Sequence, residues 1–318
     1  MKHVAPEAIL DAGMPLDHSF GDYIEIRGVR LDLDKLVNRA FFAPEKVEEL
    51  RLQLKNAKPF PNIVIENLFN PKLLELIHDE FDLFRTKNWI QFDRANEKVH
   101  RSPPKPRLGP ATQLYFDTIN SGWFLDFISS ITGVVNLIPD PHNFGGGLHE
   151  TTNGGMFAVH ADFNLHHQTA LDNEMVFITY LNKDWQPEYN GALELWDADT
   201  RTCAAEILPE FGHTALFLHG LNSLHGHSAP LNAPEGRTRR SVAAYYYSNR
   251  KASKDLAKRY SSVFFPNGKA KPWDMVKLFG KYICPTVVLK IHADTKEAVK
   301  RAMPESAQAF LRRLRGRS

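Results

Sequence analysis

The sequence predicts a mainly β protein with flanking helices, an α+β chain centred on a sandwich or barrel. Three observations lead there. Between residues 156 and 247, runs of roughly five to eight residues rich in β-branched and aromatic types recur, with turn residues between them. N-terminal to that stretch the apolar residues recur at helical spacing, and helical character returns after Asn249. The number and spacing of the short strands fit a jelly roll.

Taken in order, residues 1 to about 25 mix Pro, Gly, His and acidic groups without periodicity, which predicts an arm of low order. From Pro44 to Asn56, Val47, Leu50, Leu52 and Leu54 stand among Glu, Lys and Arg as in a short helix, and Pro59-Phe60-Pro61 stops it. Asn62 to Phe69 reads as a strand. Asn70-Pro71 reads as a helix N-cap and first helical residue, after which Leu73, Leu74, Ile77, Phe81 and Phe84 share a face. The basic segment Arg94 to Pro110 holds Pro103, Pro104 and Pro106 and reads as a loop near a site entrance. Helices follow over about Thr112–Ile119 and Gly122–Ile131, the second ended by Gly133.

The cluster Gly145-Gly146-Gly147 lacks the flanking strand and helix of a phosphate-binding loop. It reads as a close backbone approach or a bulged strand edge. Strands are then expected at Met156–His160, Met175–Leu181, Ala192–Trp196, Cys203–Leu208, His213–His219 and Ser241–Tyr247. The tail that ends in Arg312-Arg313-Leu314-Arg315-Gly316-Arg317 reads as a solvated amphipathic helix, with Ala302, Phe310, Leu311 and Leu314 packed inward.

Composition narrows the class. A chain of 318 residues, 43% hydrophobic and 24% charged, is an ordinary soluble globular protein with room for one large domain and additions, or for two small ones. The net charge of +2 singles out no nucleic-acid partner, and none is expected. With Cys203 and Cys284 as the only cysteines, a disulfide framework and a cysteine-rich zinc site are both excluded. The N-terminal stretch carries no secretory pattern, and no apolar run approaches the roughly 18 residues of a membrane span. A cytoplasmic location without a membrane partner is the expectation, and a reducing compartment also suits ferrous iron.

The chemistry concentrates in Val159-His160-Ala161-Asp162-Phe163-Asn164. Alternate side chains of a strand leave on one face, so the imidazole of His160 and the carboxylate of Asp162 can grip one metal ion. A histidine from a neighbouring strand would complete two imidazoles and a carboxylate on one face of an octahedron, leaving three positions for a substrate and dioxygen. His219, His225 and His227 all lie on the approach. Further along, Arg239, Ser241, Ala243 and Tyr245 alternate onto one face, which sets a hydroxyl and a small residue beside a guanidinium that can fork onto a carboxylate. Arg237 and Arg240 read as the exposed basic residues of that strand start. Trp185, Trp196 and Tyr245-Tyr246-Tyr247 read mainly as packing. The triplet at His292-Ala293-Asp294 repeats the site sequence with no later histidine, and it reads as a surface or helix-cap element.

Six segments fall in order: Gly-Gly-Gly-Leu-His at 145–149, His-Ala-Asp-Phe-Asn at 160–164, Tyr-Leu-Asn-Lys-Asp-Trp at 180–185, Gly-Ala-Leu-Glu-Leu-Trp-Asp at 191–197, Leu-His-Gly-His at 224–227 and Arg-Arg-Ser-Val-Ala-Ala-Tyr-Tyr-Tyr at 239–247. Together they resemble the Fe(II)/2-oxoglutarate-dependent dioxygenases, in particular the prolyl 4-hydroxylase-like branch. The resemblance implies a double-stranded β-helix (jelly-roll) core over residues 56–250, preceded by an arm and short helix over 1–55 and followed by a helical extension over 251–318. It implies iron held by His160, Asp162 and His225, since the family's distal histidine follows a Ser-x pair as here after Ser223-Leu224. His227 is the competing ligand. It also implies 2-oxoglutarate anchored by Arg239 with Ser241 beside it, dioxygen as the oxidant, and ascorbate as a candidate reductant.

The implied reaction is hydroxylation of an unactivated C–H bond with release of succinate and CO2. Asp162 favours that outcome, because halogenating relatives replace the carboxylate with a small residue. The substrate class stays open among amino acids, peptidyl residues and small metabolites, with the first two favoured by analogy. The basic segment at Arg94–Arg107 would suit a carboxylate-bearing one. Oligomeric state is not legible. Two other classes stand beside this reading: a non-catalytic jelly-roll binding module, and a zinc hydrolase using the same ligands.

Overall fold

Tyr23-Ile24-Glu25-Ile26 and Val29-Arg30-Leu31-Asp32 form the strands β1 (Tyr23–Ile26) and β2 (Val29–Asp32), an antiparallel hairpin closed by Arg27 and Gly28. Both turn residues have positive φ, 51° and 76°, as a two-residue hairpin turn of this hand requires. The arm expected up to about residue 25 thus overlaps strand β1, whose signal was the alternation Ile24, Ile26 followed by Val29, Leu31; residues 1–21 lie outside the described residues. The computed structural model describes residues 22–84, 88–220, 222–249, 259 and 261–265. The chain divides into two compact units, Met1–Phe265 and Pro266–Ser318, and every described residue belongs to the first. The basic tail and the His292-Ala293-Asp294 triplet lie outside the described residues.

Helix α1 (Pro44–Asn56) spans the residues its apolar spacing indicates, with proline in the first turn where no amide partner is needed. Strand β3 (Asn62–Ile65) is the first half of the expected run. Helix α2 (Pro71–Leu83) starts at Asn70, whose side-chain oxygen accepts from the Lys72 amide at 3.0 Å. The segment read as a loop from Arg94 is in part a hairpin of β4 (Ile90–Arg94) and β5 (Glu97–Arg101), and only its proline-bearing remainder is irregular. Charged side chains hid strand β5, whose backbone pairs on both sides.

Helices α3 (Pro110–Ile119) and α4 (Gly122–Thr132) follow, the latter ended by Gly133 in the left-handed region. The first turn of α3 is capped from outside the helix: the buried Glu80 carboxylate accepts from the Ala111 and Thr112 amides at 2.9 and 2.8 Å.

The remaining strands are β6 (Ile138–Pro139), β7 (Gly147–Thr151), β8 (Met156–Ala161), β9 (Asp172–Tyr180), β10 (Leu193–Asp197), β11 (Thr202–Ile207), β12 (Thr214–Leu218), β13 (Leu224–His227), β14 (Arg239–Ser248) and β15 (Val263–Phe264). They run antiparallel in the order β11-β10-β13-β8-β5-β7-β14-β9-β12-β3, with β15 on β8, β4 on β5 and β6 on β14. This is a jelly-roll core. Strand β5 ties its two halves by pairing with both β7 and β8.

Period-two alternation divides the sheet into an outer and an inner face. On β9 and β14, Met175, Phe177, Val242, Ala244 and Tyr246 join one apolar cluster with Leu73, Ile77 and Phe81 of α2, Tyr115 and Phe116 of α3, and Phe124 and Ile128 of α4. Each such fully buried side chain contributes about 1.5–3 kcal/mol. Their neighbours Val176, Ile178, Tyr180, Arg239, Ser241, Ala243 and Tyr245 point the other way and line an internal pocket. The glycine cluster fulfils its expected role at Gly146, where a Cβ would lie 2.5 Å from the Ala243 carbonyl oxygen.

Candidate active site

His160 and His225 face each other across the β8–β13 pair, with ring centroids 4.3 Å apart. Each ring is turned by its own backbone. Nδ1 of His160 donates to the Ala158 carbonyl at 2.9 Å, and Nδ1 of His225 donates to the Ser223 carbonyl at 3.0 Å. Both Nε2 atoms are thereby left as lone pairs aimed at one point, the arrangement that orients metal-ligating histidines.

Asp162, one residue past the end of β8, completes the group. Its Oδ1 lies 3.3 Å from His160 Nε2 and its Oδ2 lies 3.5 Å from His225 Nε2. One donor atom from each of the three falls within 4.8 Å of the others, and all three residues are buried. Burial pushes the His160 imidazole below its ordinary value, so it is held neutral and ready to coordinate. For Asp162 burial acts upward, but His225, His160 and His219 outweigh it and hold the carboxyl well below the usual range.

The approach between β8 and β13 depends on Gly226. A Cβ there would lie 2.8 Å from the Phe157 carbonyl oxygen and 3.0 Å from the Val159 nitrogen, so only glycine lets the strands meet at the irregular register between His225 and His227. The other two histidines on the approach fall outside the group. His227 sits opposite Phe157 and lines the pocket, and the His219 side chain packs beside Asp162.

Arg239 opens into the same pocket as the triad. Its Nε donates to the Gly191 carbonyl at 2.6 Å, an Nη reaches the Tyr180 hydroxyl at 3.5 Å, and the guanidinium lies 5.1 Å from the Tyr180 ring centroid. The side chain is buried and pairs with no carboxylate among the described residues. Burial lowers its pKa, the sign of a cation held out of water. Ser241, two residues on, lines the pocket with it, as do Ala243 and Tyr245.

Arg240 corrects the expectation of an exposed basic residue. It is buried, and it bridges Asp82 of α2, at 2.8 and 3.0 Å, to the buried Glu150 of β7 at 3.1 Å. Adjacent arginines on β14 thus point to opposite faces, one paired with carboxylates and the other facing the pocket with none among the described residues.

Sequence reasoning passed over three contributors. Tyr180 stands in the segment 180–185 with no role of its own in the sequence, and its hydroxyl is the polar neighbour of Arg239. Arg101 was placed in a loop; it lines the pocket from β5, pairs with Glu97, and stacks on Phe157, which itself packs on His160 with centroids 4.0 Å apart. Tyr245, read as packing, donates its hydroxyl to Asp162 Oδ2 at 3.1 Å. Trp185 is packing as expected, buried with its indole N–H on the Asn190 carbonyl. His149 lines the pocket, and the Asn164 side-chain oxygen accepts from the Arg259 amide.

The donor set suits a divalent first-row metal: two neutral imidazole lone pairs and a carboxylate, with no thiolate. The uncompensated guanidinium in the same pocket suits the far carboxylate of a dicarboxylic acid.

Residues 146–247 match the 2OG-Fe(II) oxygenase superfamily. A search of curated proteins returns no match. Among solved structures, the chain is similar to a Pseudomonas putida prolyl-4-hydroxylase, at 15% identity over 64% of this chain and 98% of that one with a TM-score of 0.46. It is also similar to a Trichoplax adhaerens prolyl hydroxylase in complex with a hypoxia inducible factor peptide fragment, at 16% over 70% and 100% with a TM-score of 0.48. A third is HygX from Streptomyces hygroscopicus with nickel and 2-oxoglutarate, at 14% over 63% and 91% with a TM-score of 0.42.

Proposed function

We propose that this chain, an enzyme of the 2OG-Fe(II) oxygenase superfamily over residues 146–247, hydroxylates an unactivated C–H bond of an amino-acid, peptidyl or small-metabolite substrate. The observation that carries the reading is the sharing of one pocket by His160, Asp162, His225 and a buried Arg239 with no carboxylate partner among the described residues. The Nε2 atoms of His160 and His225 and one oxygen of Asp162 would hold Fe(II). Arg239, with the Tyr180 hydroxyl at its side and Ser241 beyond it, would seat the distal carboxylate of 2-oxoglutarate. Bound there, the metal and co-substrate supply an oxidation in which dioxygen converts 2-oxoglutarate to succinate and CO2 and oxygenates the substrate carbon.

The chain's own residues do the positioning. The carbonyls of Ala158 and Ser223 fix the two rings before any ligand arrives, so little reorganisation is left for the reaction. Val176, Ile178, Leu193 and Phe157 form an apolar wall around the polar groups, which excludes bulk water from the reacting centre. A hydrolase on the same ligands would have no use for Arg239.

The test is anaerobic loading of the purified protein with Fe(II) and 2-oxoglutarate, followed by oxygenation with a panel of amino acids and prolyl peptides, with and without ascorbate. Succinate should form in an iron-dependent way and be stimulated by the true substrate, and Arg239→Gln should suppress it. A metal-loaded protein that binds no 2-oxoglutarate sinks the reading.

A further inference from the structure

His219 follows β12, and its side chain is 5% exposed. Its backbone amide is anchored on the Glu174 carbonyl at 2.8 Å, and its ring packs between Phe217 and Tyr245 at centroid distances of 5.7 and 5.6 Å. Neither ring nitrogen closes an aligned hydrogen bond, although both are buried. Nε2 nevertheless stands 3.3 Å from Oδ2 of Asp162. A buried polar ring without an aligned partner among the described residues is uncommon in a folded protein, and one at the edge of the proposed metal site points to an arrangement completed on binding.

The contacts of Asp162 indicate which arrangement. Five groups crowd its two oxygens: His160 Nε2 and the Ser262 hydroxyl at 3.3 Å from Oδ1, and on Oδ2 the Tyr245 hydroxyl at 3.1 Å, with His219 and His225 Nε2 at 3.3 and 3.5 Å. His160 and His225 would hold a metal through their Nε2 lone pairs. Two donors then remain for Oδ2, the Tyr245 hydroxyl and His219.

We infer that His219 is a positioning residue: as a neutral imidazole protonated on Nε2, it joins the Tyr245 hydroxyl in holding Asp162 Oδ2 away from the metal, so that Asp162 binds through Oδ1 alone. This rests on the proposed metal site. A carboxylate free to bind through both oxygens would fill one of the three positions that co-substrate and dioxygen need. Two donors on one oxygen oppose that, and outer partners of this kind typically change metal affinity 10- to 100-fold.

The experiment titrates Mn(II) and Co(II) into wild type, His219→Ala, His219→Gln and Tyr245→Phe, and records the Co(II) visible spectrum. His219→Ala and Tyr245→Phe should each weaken Mn(II) binding about tenfold and alter the Co(II) spectrum, whereas His219→Gln, which keeps a donor, should recover most of the affinity. A folded His219→Ala protein with wild-type affinity and an unchanged Co(II) spectrum overturns the inference. If His219→Ala does not fold, His219→Gln and Tyr245→Phe decide it, since wild-type metal binding by Tyr245→Phe removes the two-donor arrangement. Failure of wild type itself to bind either metal overturns the metal site instead, a distinguishable result.

Discussion

At the level of single residues, Arg239 behaves as a charge awaiting its partner. Taking a guanidinium out of water with no carboxylate partner among the described residues costs stability, and under the proposed function a dicarboxylate would offset that cost through two charge-assisted bonds. Arg239→Gln should therefore leave the thermal midpoint of the ligand-free protein nearly unchanged, because the lost Gly191 contact is offset by relief of burial. It should weaken 2-oxoglutarate binding by about 2–3 kcal/mol, on the order of 100-fold. Calorimetric titration of the metal-loaded variant reads this directly, and an unchanged affinity would place the co-substrate elsewhere. The histidines separate in the same way. His225→Ala should abolish tight Mn(II) binding, whereas His227→Ala, which removes a pocket wall outside the triad, should retain it.

On the scale of strands and helices, β14 shows how alternation assigns opposite jobs to neighbours. Arg240→Leu withdraws a guanidinium from Glu150, whose side chain is 1% exposed, and should destabilise the fold by about 3–5 kcal/mol in urea unfolding. The contrast with Arg239→Gln is the check: equal losses would mean that both arginines are structural. Gly226→Ala should push β13 from β8 and cut metal affinity while leaving the helical packing intact, visible as lost Mn(II) binding at unchanged far-UV dichroism.

The same scale explains what the sequence disclosed. Helix α1 was legible to the residue because apolar spacing and proline agreed, and α2 because Asn70-Pro71 marks its start. The meeting of His160, Asp162 and His225 was legible because the first two share a short segment and a histidine follows Ser223-Leu224. The β4–β5 hairpin was not, since its side chains are charged and its strand character comes from backbone pairing with β7 and β8. Arg240 was misread because no local signal tells of Asp82, 158 residues away.

For the molecule as a whole, a core built around imidazoles carries a pH dependence that single contacts do not reveal. Burial lowers His149 to about 3 and also depresses His160, His219 and His227. In the unfolded chain a histidine titrates near 6.5. Between pH 6.5 and about 3 the unfolded chain therefore holds a proton on His149 that the folded protein refuses, so stability rises with pH through this window and is lost as pH falls.

The slope is about 1.4 kcal/mol per pH unit for each such imidazole. The tyrosines act oppositely at the alkaline end: Tyr246 and Tyr247 are pushed up by burial, so above pH 10 the unfolded chain gains charge that the fold excludes and stability declines. Urea midpoints of the metal-free protein should thus fall steeply from pH 7 to pH 5. Replacing His149 with Gln removes one of the protons taken up on unfolding, and it should flatten that acid limb by about one proton without changing the midpoint at pH 8. Parallel limbs for wild type and variant would mean that the His149 ring titrates freely despite its place in the pocket wall near Arg101 and Arg239.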